Sequence, residues 1–200
     1  MSRPHRPGTP CWAELGGAPG DIVLAHYADL LGWTYDVNRA VTGYVRAFAD
    51  GEKVAGFGGP AKPAPPRGWR VYLATDDLDA SLAAWQTAGG ASGPVTTVAD
   101  GRFAWLRDPW GCDTGLFDSP DDPGTSLAPG SGRLATWTLS SPSAEEAAVF
   151  YERVFGAPFR ESVDVEPTDG PGGWVVAATG PPEAPPGDVT DPEGNVLRIH

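Results

Sequence analysis

Lysine is nearly missing from this chain: Lys53 and Lys62 are the only two in 200 residues. The 14 basic residues face 26 acidic ones, for a formal charge of −12. That balance argues against nucleic acid and against an anionic membrane surface as partners. Cysteine is scarce as well, and Cys11 and Cys112 alone cannot build a disulfide framework or a multi-cysteine metal site. Histidine is limited to His5, His26 and His200. No stretch is long and apolar enough to span a bilayer. Met1–Gly8 has no apolar run behind its basic residues, so a secretory signal is not expected and a cytoplasmic protein is. What the chain does have is 27 Gly and 22 Pro, which punctuate it into short elements, and 8 Trp. So many indoles exceed what a core of this size calls for, leaving several for a surface that meets a ligand.

The chain repeats itself. Trp12-Ala13-Glu14-Leu15, a Gly/Pro break and a helical run ending His26-Tyr27-Ala28-Asp29-Leu30-Leu31-Gly32 are echoed by Thr136-Trp137-Thr138-Leu139, a Ser/Pro break and Phe150-Tyr151-Glu152-Arg153-Val154-Phe155-Gly156. Tyr27 follows Trp12 at the interval by which Tyr151 follows Thr136. Asp108-Pro109-Trp110-Gly111 and Asp191-Pro192-Glu193-Gly194 form a second repeated pair, each ahead of a short strand-like run. Such self-similarity means that one supersecondary unit is reused.

Residues 9–16 read as a strand, followed by a helix with Asp21 as N-cap, an apolar stripe of Val23, Tyr27, Leu30 and Leu31, and Gly32 as its stop. Trp33–Val37 is strand-like, and Asp50-Gly51 between two apolar runs predicts a hairpin. This first module is β-α-β-β-β over 9–58. A Pro-rich connection, Gly59–Pro66, leads to a second module over 68–117: a strand at Trp69–Ala74, a helix capped by Asp77, and strands near Val95–Val98, Arg102–Leu106 and Asp113–Phe117. Residues 1–8 read as a disordered arm and 118–132 as a linker. A third, abridged module fills 133–200, with Ser143 and Glu146 as a capping box, Gly156 as C-cap, and strands at Phe159–Val163, Trp174–Ala178 and Asn195–His200. The fold class is α+β.

Strand, amphipathic helix, hairpin and an Asp-Pro-x-Gly turn before the last strand together resemble the vicinal oxygen chelate superfamily, which includes glyoxalase I, extradiol dioxygenases and bleomycin-resistance proteins. Within it the chain resembles the two-domain glyoxalase-like proteins of actinobacteria, through Gly8-Thr9-Pro10-Cys11-Trp12, Tyr72-Leu73-Ala74-Thr75-Asp76-Asp77-Leu78-Asp79-Ala80 and Gly101-Arg102-Phe103-Ala104-Trp105-Leu106-Arg107-Asp108-Pro109. The resemblance implies paired modules whose sheets curl into a cup, with a metal held by His on each first strand and by Glu past each Asp-Pro-x-Gly turn. Here the first-strand positions hold Trp12, Arg70 and Thr136, and the Glu positions hold Gly115 and Arg198. None of these side chains is a ligand for a divalent ion, so no metal and no cofactor is expected.

Alternation along the strands then predicts the cup lining. Trp12 carries Glu14 with it, Arg70 carries Tyr72, and Gly115 carries Asp113 and Phe117. Tyr44, Trp69 and Trp105 are further ligand-binding candidates; like Phe103, Phe48 and Phe57 they lie nearby with their facing open. Aromatic walls with a few polar groups suit a hydrophobic or aromatic small molecule of the antibiotic or specialised-metabolite type. The alternative is a metal-free isomerase, cyclase or lyase, with Glu14 or Asp113 as base and Arg70 and Tyr72 stabilising an enolate or phenolate. A metal-dependent glyoxalase or dioxygenase ranks behind both. Against all three stands a structural reading, in which Trp12 fills space and Glu14–Arg70 is only an ion pair. The third module lacks a sequence partner, so it packs within the chain or pairs with its copy in a homodimer.

Overall fold

A computed structural model describes residues 5–17, 20–36, 44–58, 68–120, 122, 124–125, 127–155 and 159–200. The Gly59–Pro66 connection and the Gly156 C-cap lie outside the described residues. The elements run β1 (Pro10–Gly16), α1 (Asp21–Leu31), β2 (Thr34–Asp36), β3 (Val45–Ala49), β4 (Glu52–Phe57), β5 (Gly68–Ala74), α2 (Leu78–Thr87), β6 (Ala91–Ser92), β7 (Thr96–Val98), β8 (Gly101–Arg107), β9 (Asp113–Asp118), β10 (Leu134–Ser141), α3 (Ala144–Phe155), β11 (Asp164–Pro167), β12 (Gly173–Ala178), β13 (Gly187–Thr190) and β14 (Val196–Ile199). One sheet has the order β2-β3-β4-β1-β5-β9-β8-β6, with β7 also on β8; the other has the order β11-β10-β12-β14-β13. Among the described residues no helix is long and apolar enough to cross a membrane.

The first two modules share one wiring. β1 runs parallel to β4 (Glu14 beside Gly56), and β5 parallel to β9 (Tyr72 beside Gly115). Asp50 and Gly51 both adopt positive φ, 50° and 78°, and close the β3–β4 hairpin as the Asp-Gly signal predicts. Asp77 caps α2 by accepting the Ala80 N–H at 2.9 Å. In the second sheet β10 runs parallel to β11 and β12 parallel to β14, with β13 antiparallel to β14.

Two local expectations are corrected. Gly20, not Asp21, is the N-cap of α1, and its N–H goes to the Glu193 carboxylate at 2.9 Å. The expected strand at Phe159–Val163 is a 3-10 turn over Phe159–Glu161, because the Phe159 ring stacks on Tyr151 at 4.6 Å and draws the segment toward α3. Strand β13, short and exposed, carried no apolar signal to predict it.

The chain divides into two compact units, each assembled from three segments. Unit one holds residues 1–11, 71–124 and 137–174; unit two holds 12–70, 125–136 and 175–200. Unit one packs Trp85 of α2 against Phe150 (4.7 Å) and Tyr151 (5.3 Å) of α3. In unit two Tyr27, Trp33, Phe57 and Trp69 meet mostly edge to face, between 5.6 and 6.2 Å. Each such pair adds about 0.5–1.5 kcal/mol beyond the area it buries.

Both units contain the same polar knot, built from the repeated sequence elements. In unit two the Tyr27 hydroxyl donates to Asp191 at 3.2 Å and accepts from the Trp69 indole at 3.2 Å. In unit one the Tyr151 hydroxyl lies 3.3 Å from Asp108 and 2.9 Å from Thr114, which accepts the Trp174 indole N–H at 2.9 Å. Each aspartate also accepts backbone N–H groups of its own turn, Trp110 and Cys112 or Glu193 and Asn195. The tyrosine of one repeat thus ties down the Asp-Pro-x-Gly turn of another.

Candidate functional site

The residues expected to line the cup fall into two clusters, one in each unit. In unit two, β1 alternates as expected: Ala13 and Leu15 are fully buried on one face, and Trp12 and Glu14 point to the other. Arg70 of β5 donates to the Glu14 carboxylate at 3.0 Å, with the two side chains only 2% and 8% exposed. The Trp12 indole donates to the Tyr44 hydroxyl at 2.8 Å. Gly56 of β4 makes this packing possible, since a Cβ there would collide with the Tyr44 hydroxyl and the Trp12 ring. Gly58 does the same for the Glu14 carboxylate. Burial first, then the neighbouring Glu14 charge, hold the Tyr44 phenol well above its ordinary pKa. The cluster therefore presents a neutral phenol, an indole and a charge pair that cancels.

Unit one carries the aromatic cluster. The β8–β9 register sets Phe103 opposite Phe117, Trp105 opposite Gly115 and Arg107 opposite Asp113, all on one face. Tyr72 of β5, beside Gly115, joins them. Its ring lies 4.9 Å from Trp105, 6.0 Å from Phe103 and 6.2 Å from Phe117. A Cβ at Gly115 would strike the Tyr72 ring, so this glycine allows the aromatic to lie flat over the sheet. Tyr72 is buried, whereas Phe103, Trp105 and Phe117 are half-buried. At the end of the row Arg107 grips Asp113 with Nε and Nη2, each at 2.8 Å.

Trp69 is not part of either cluster. It sits one residue from Arg70, so it turns to the opposite face, where it is 6% exposed among Tyr27, Trp33 and Phe57. Sequence reasoning named Trp105 as a ligand-binding candidate with its facing open, left Phe103 unassigned and passed over Arg107 entirely. Continuing the alternation from Gly115 across the antiparallel partner strand would have found all three.

The donor set does not suit the divalent ion that the resemblance implies. Arg70 is a permanent cation committed to Glu14, the Trp12 indole has no lone pair to give, and Gly115 has no side chain. In the second sheet Thr136 lies 3.3 Å from the His200 ring, and Arg198 pairs with Asp188 at 2.8 Å. Among the described residues no group of three or more His, Cys, Asp or Glu gathers into a metal site. The two thiols are poor nucleophiles: burial raises both pKa values, with nearby Asp122 adding to the effect at Cys11 and Asp108 at Cys112.

No protein-family model matches the chain. A Mycobacterium bovis protein named as a glyoxylase, CFP32, is 33% identical over 161 residues, covering 76% of this chain and 61% of its own length. The anthracycline biosynthesis protein DnrV of Streptomyces peucetius is 29% identical over 168 residues, covering 75% of this chain and 61% of its own. This chain therefore spans about three-fifths of the curated relatives it matches. The Mn(II)-bound glyoxalase from Novosphingobium aromaticivorans superposes with a TM-score of 0.63 at 18% identity, over 97% of this chain and 82% of that one. Homoprotocatechuate 2,3-dioxygenase from Arthrobacter globiformis gives 0.66 at 13% identity, over 100% and 80%. In its modules, its paired Asp-Pro-x-Gly turns and these likenesses the chain shares the fold of the glyoxalase and dioxygenase structures and resembles the glyoxalase-like members of the vicinal oxygen chelate superfamily.

Proposed function

We propose that this protein binds a flat, largely apolar small molecule, without a metal ion, on the aromatic face of β5, β9 and β8. The observation that carries the proposal is the row of Tyr72, Phe103, Trp105 and Phe117, in mutual ring contact on one face and half-buried at three of its four members. Aromatic walls with a few polar groups at the rim are the ordinary composition of a small-molecule site. The relatives named for anthracycline biosynthesis support a polycyclic aromatic ligand of the specialised-metabolite type. On this reading Trp12, Glu14, Tyr44 and Arg70 serve the packing of β1 and β5. The test is calorimetric titration with 1,8-dihydroxyanthraquinone. Saturable binding that Trp105→Leu weakens by about tenfold is expected from the loss of one stacking partner. Absence of saturable binding by any flat aromatic compound would defeat the proposal.

A second reading has an observation of its own. Glu14 and Arg70 form a buried pair with the half-buried Tyr44 phenol beside Glu14. A carboxylate beside a guanidinium and a phenol has the makings of a base and an oxyanion site for a metal-free isomerase, cyclase or lyase. Asp113, the other candidate base, is engaged by Arg107. Once a turnover assay exists, Glu14→Gln should abolish activity while binding persists, and unchanged turnover would reject this role.

A further inference from the structure

We infer that Arg107, poised by Asp113, is the anion-recognising end of the aromatic row, so that the ligand is a flat ring system with a carboxylate or phenolate at one end. This rests on the binding reading above and adds the chemical class of the ligand. Phe103, Trp105 and Arg107 are alternate residues of β8 and share its face with Tyr72, Asp113 and Phe117. At ~3.3 Å per residue, Phe103 and Arg107 stand about 13 Å apart along the strand. That run accommodates several fused rings with an acidic group at the Arg107 end.

The state of Arg107 supports the assignment. Its side chain is 59% exposed and that of Asp113 is 21% exposed, so the pair sits at the rim of the row. Asp113 takes Nε and Nη2, leaving the Nη1 edge of the fork pointing elsewhere. A guanidinium presents five N–H donors in a plane, enough to serve a second carboxylate beside the first. Arg102 of the same strand shows the contrast: it turns to the opposite face and pairs with Asp79 of α2, away from the aromatics. Asp113 thus holds the fork rigid at the end of the row, and its own charge competes with the incoming anion.

That dual role makes two variants act in opposite directions. Calorimetry on the full chain would compare anthraquinone-2-carboxylate with neutral anthraquinone-2-carboxamide and read the ratio of their affinities. Wild type should favour the acid, and added salt should reduce that preference. Arg107→Gln should lower the ratio by about tenfold. Asp113→Asn should raise it several-fold by removing the competing carboxylate. A ratio lowered by both variants, or moved by neither, overturns the inference while leaving the binding proposal standing. If neither compound binds wild type, the binding proposal falls and takes this one with it.

Discussion

The two units share a knot and differ in a face. Each ties a helix tyrosine to the aspartate of an Asp-Pro-x-Gly turn, with an indole N–H completing the chain of hydrogen bonds. Each also uses a strand glycine, Gly56 or Gly115, to seat an aromatic side chain flat against the sheet. On that flattened surface they diverge. Unit two places there a buried ion pair and an indole–phenol contact whose phenol is half-buried. Unit one places a row of half-buried rings ending in an exposed, charge-paired arginine. The repeated parts maintain the scaffold, and chemistry is to be sought where the repeats part company.

The largest expected effect tests how closed the unit-two face is. Arg70→Met leaves Glu14 buried without its cation and should cost about 3–5 kcal/mol in urea unfolding. The double variant Glu14→Leu/Arg70→Met should recover most of that loss, because paired apolar replacements are close to neutral. Next come the shared devices. Gly115→Ala should cost about 1–3 kcal/mol through overpacking against Tyr72, and should abolish binding of 1,8-dihydroxyanthraquinone. Tyr151→Phe should cost about 1–3 kcal/mol. Tyr27→Phe should cost less, because Asp191 keeps the Asn195 side-chain N–H at 2.8 Å.

A smaller effect is a pH slope. Burial pushes the Asp108 carboxyl up, against hydrogen bonds from its turn and from Tyr151 that pull it down. The folded chain therefore holds this proton more tightly than the unfolded one. Its contribution is full below the ordinary carboxylate pKa and is lost as pH rises through the raised value. Asp108→Asn should flatten that fall in a urea series across the acidic range. Smallest of all, Arg107→Gln at its exposed rim should change stability by less than about 1 kcal/mol, in sharp contrast to Arg70.

Much of the fold was legible in the sequence because its signals are local. The Asp-Gly hairpin, the Asp77 cap and the strand alternation through Trp12, Glu14, Arg70 and Tyr72 follow from backbone geometry and neighbouring residues alone. The repeats were visible too, but not their purpose. That Tyr27 would meet Asp191, and Tyr151 Asp108, depends on contacts between distant segments. The Phe159 turn escaped for the same reason: an aromatic stack outweighed the strand propensity of its neighbours. At the candidate site, the positions where the resemblance implies metal ligands could be read directly as Trp12, Arg70 and Gly115. Arg107 could not be placed without pairing β8 with β9, because its facing depends on register.

Hydrogen exchange with and without saturating 1,8-dihydroxyanthraquinone tests the division of labour most directly. The account predicts ligand-induced protection concentrated in β8 and β9, over Gly101–Asp118, with β3 and β4 of unit two unchanged. Protection confined to Val45–Phe57 would contradict it.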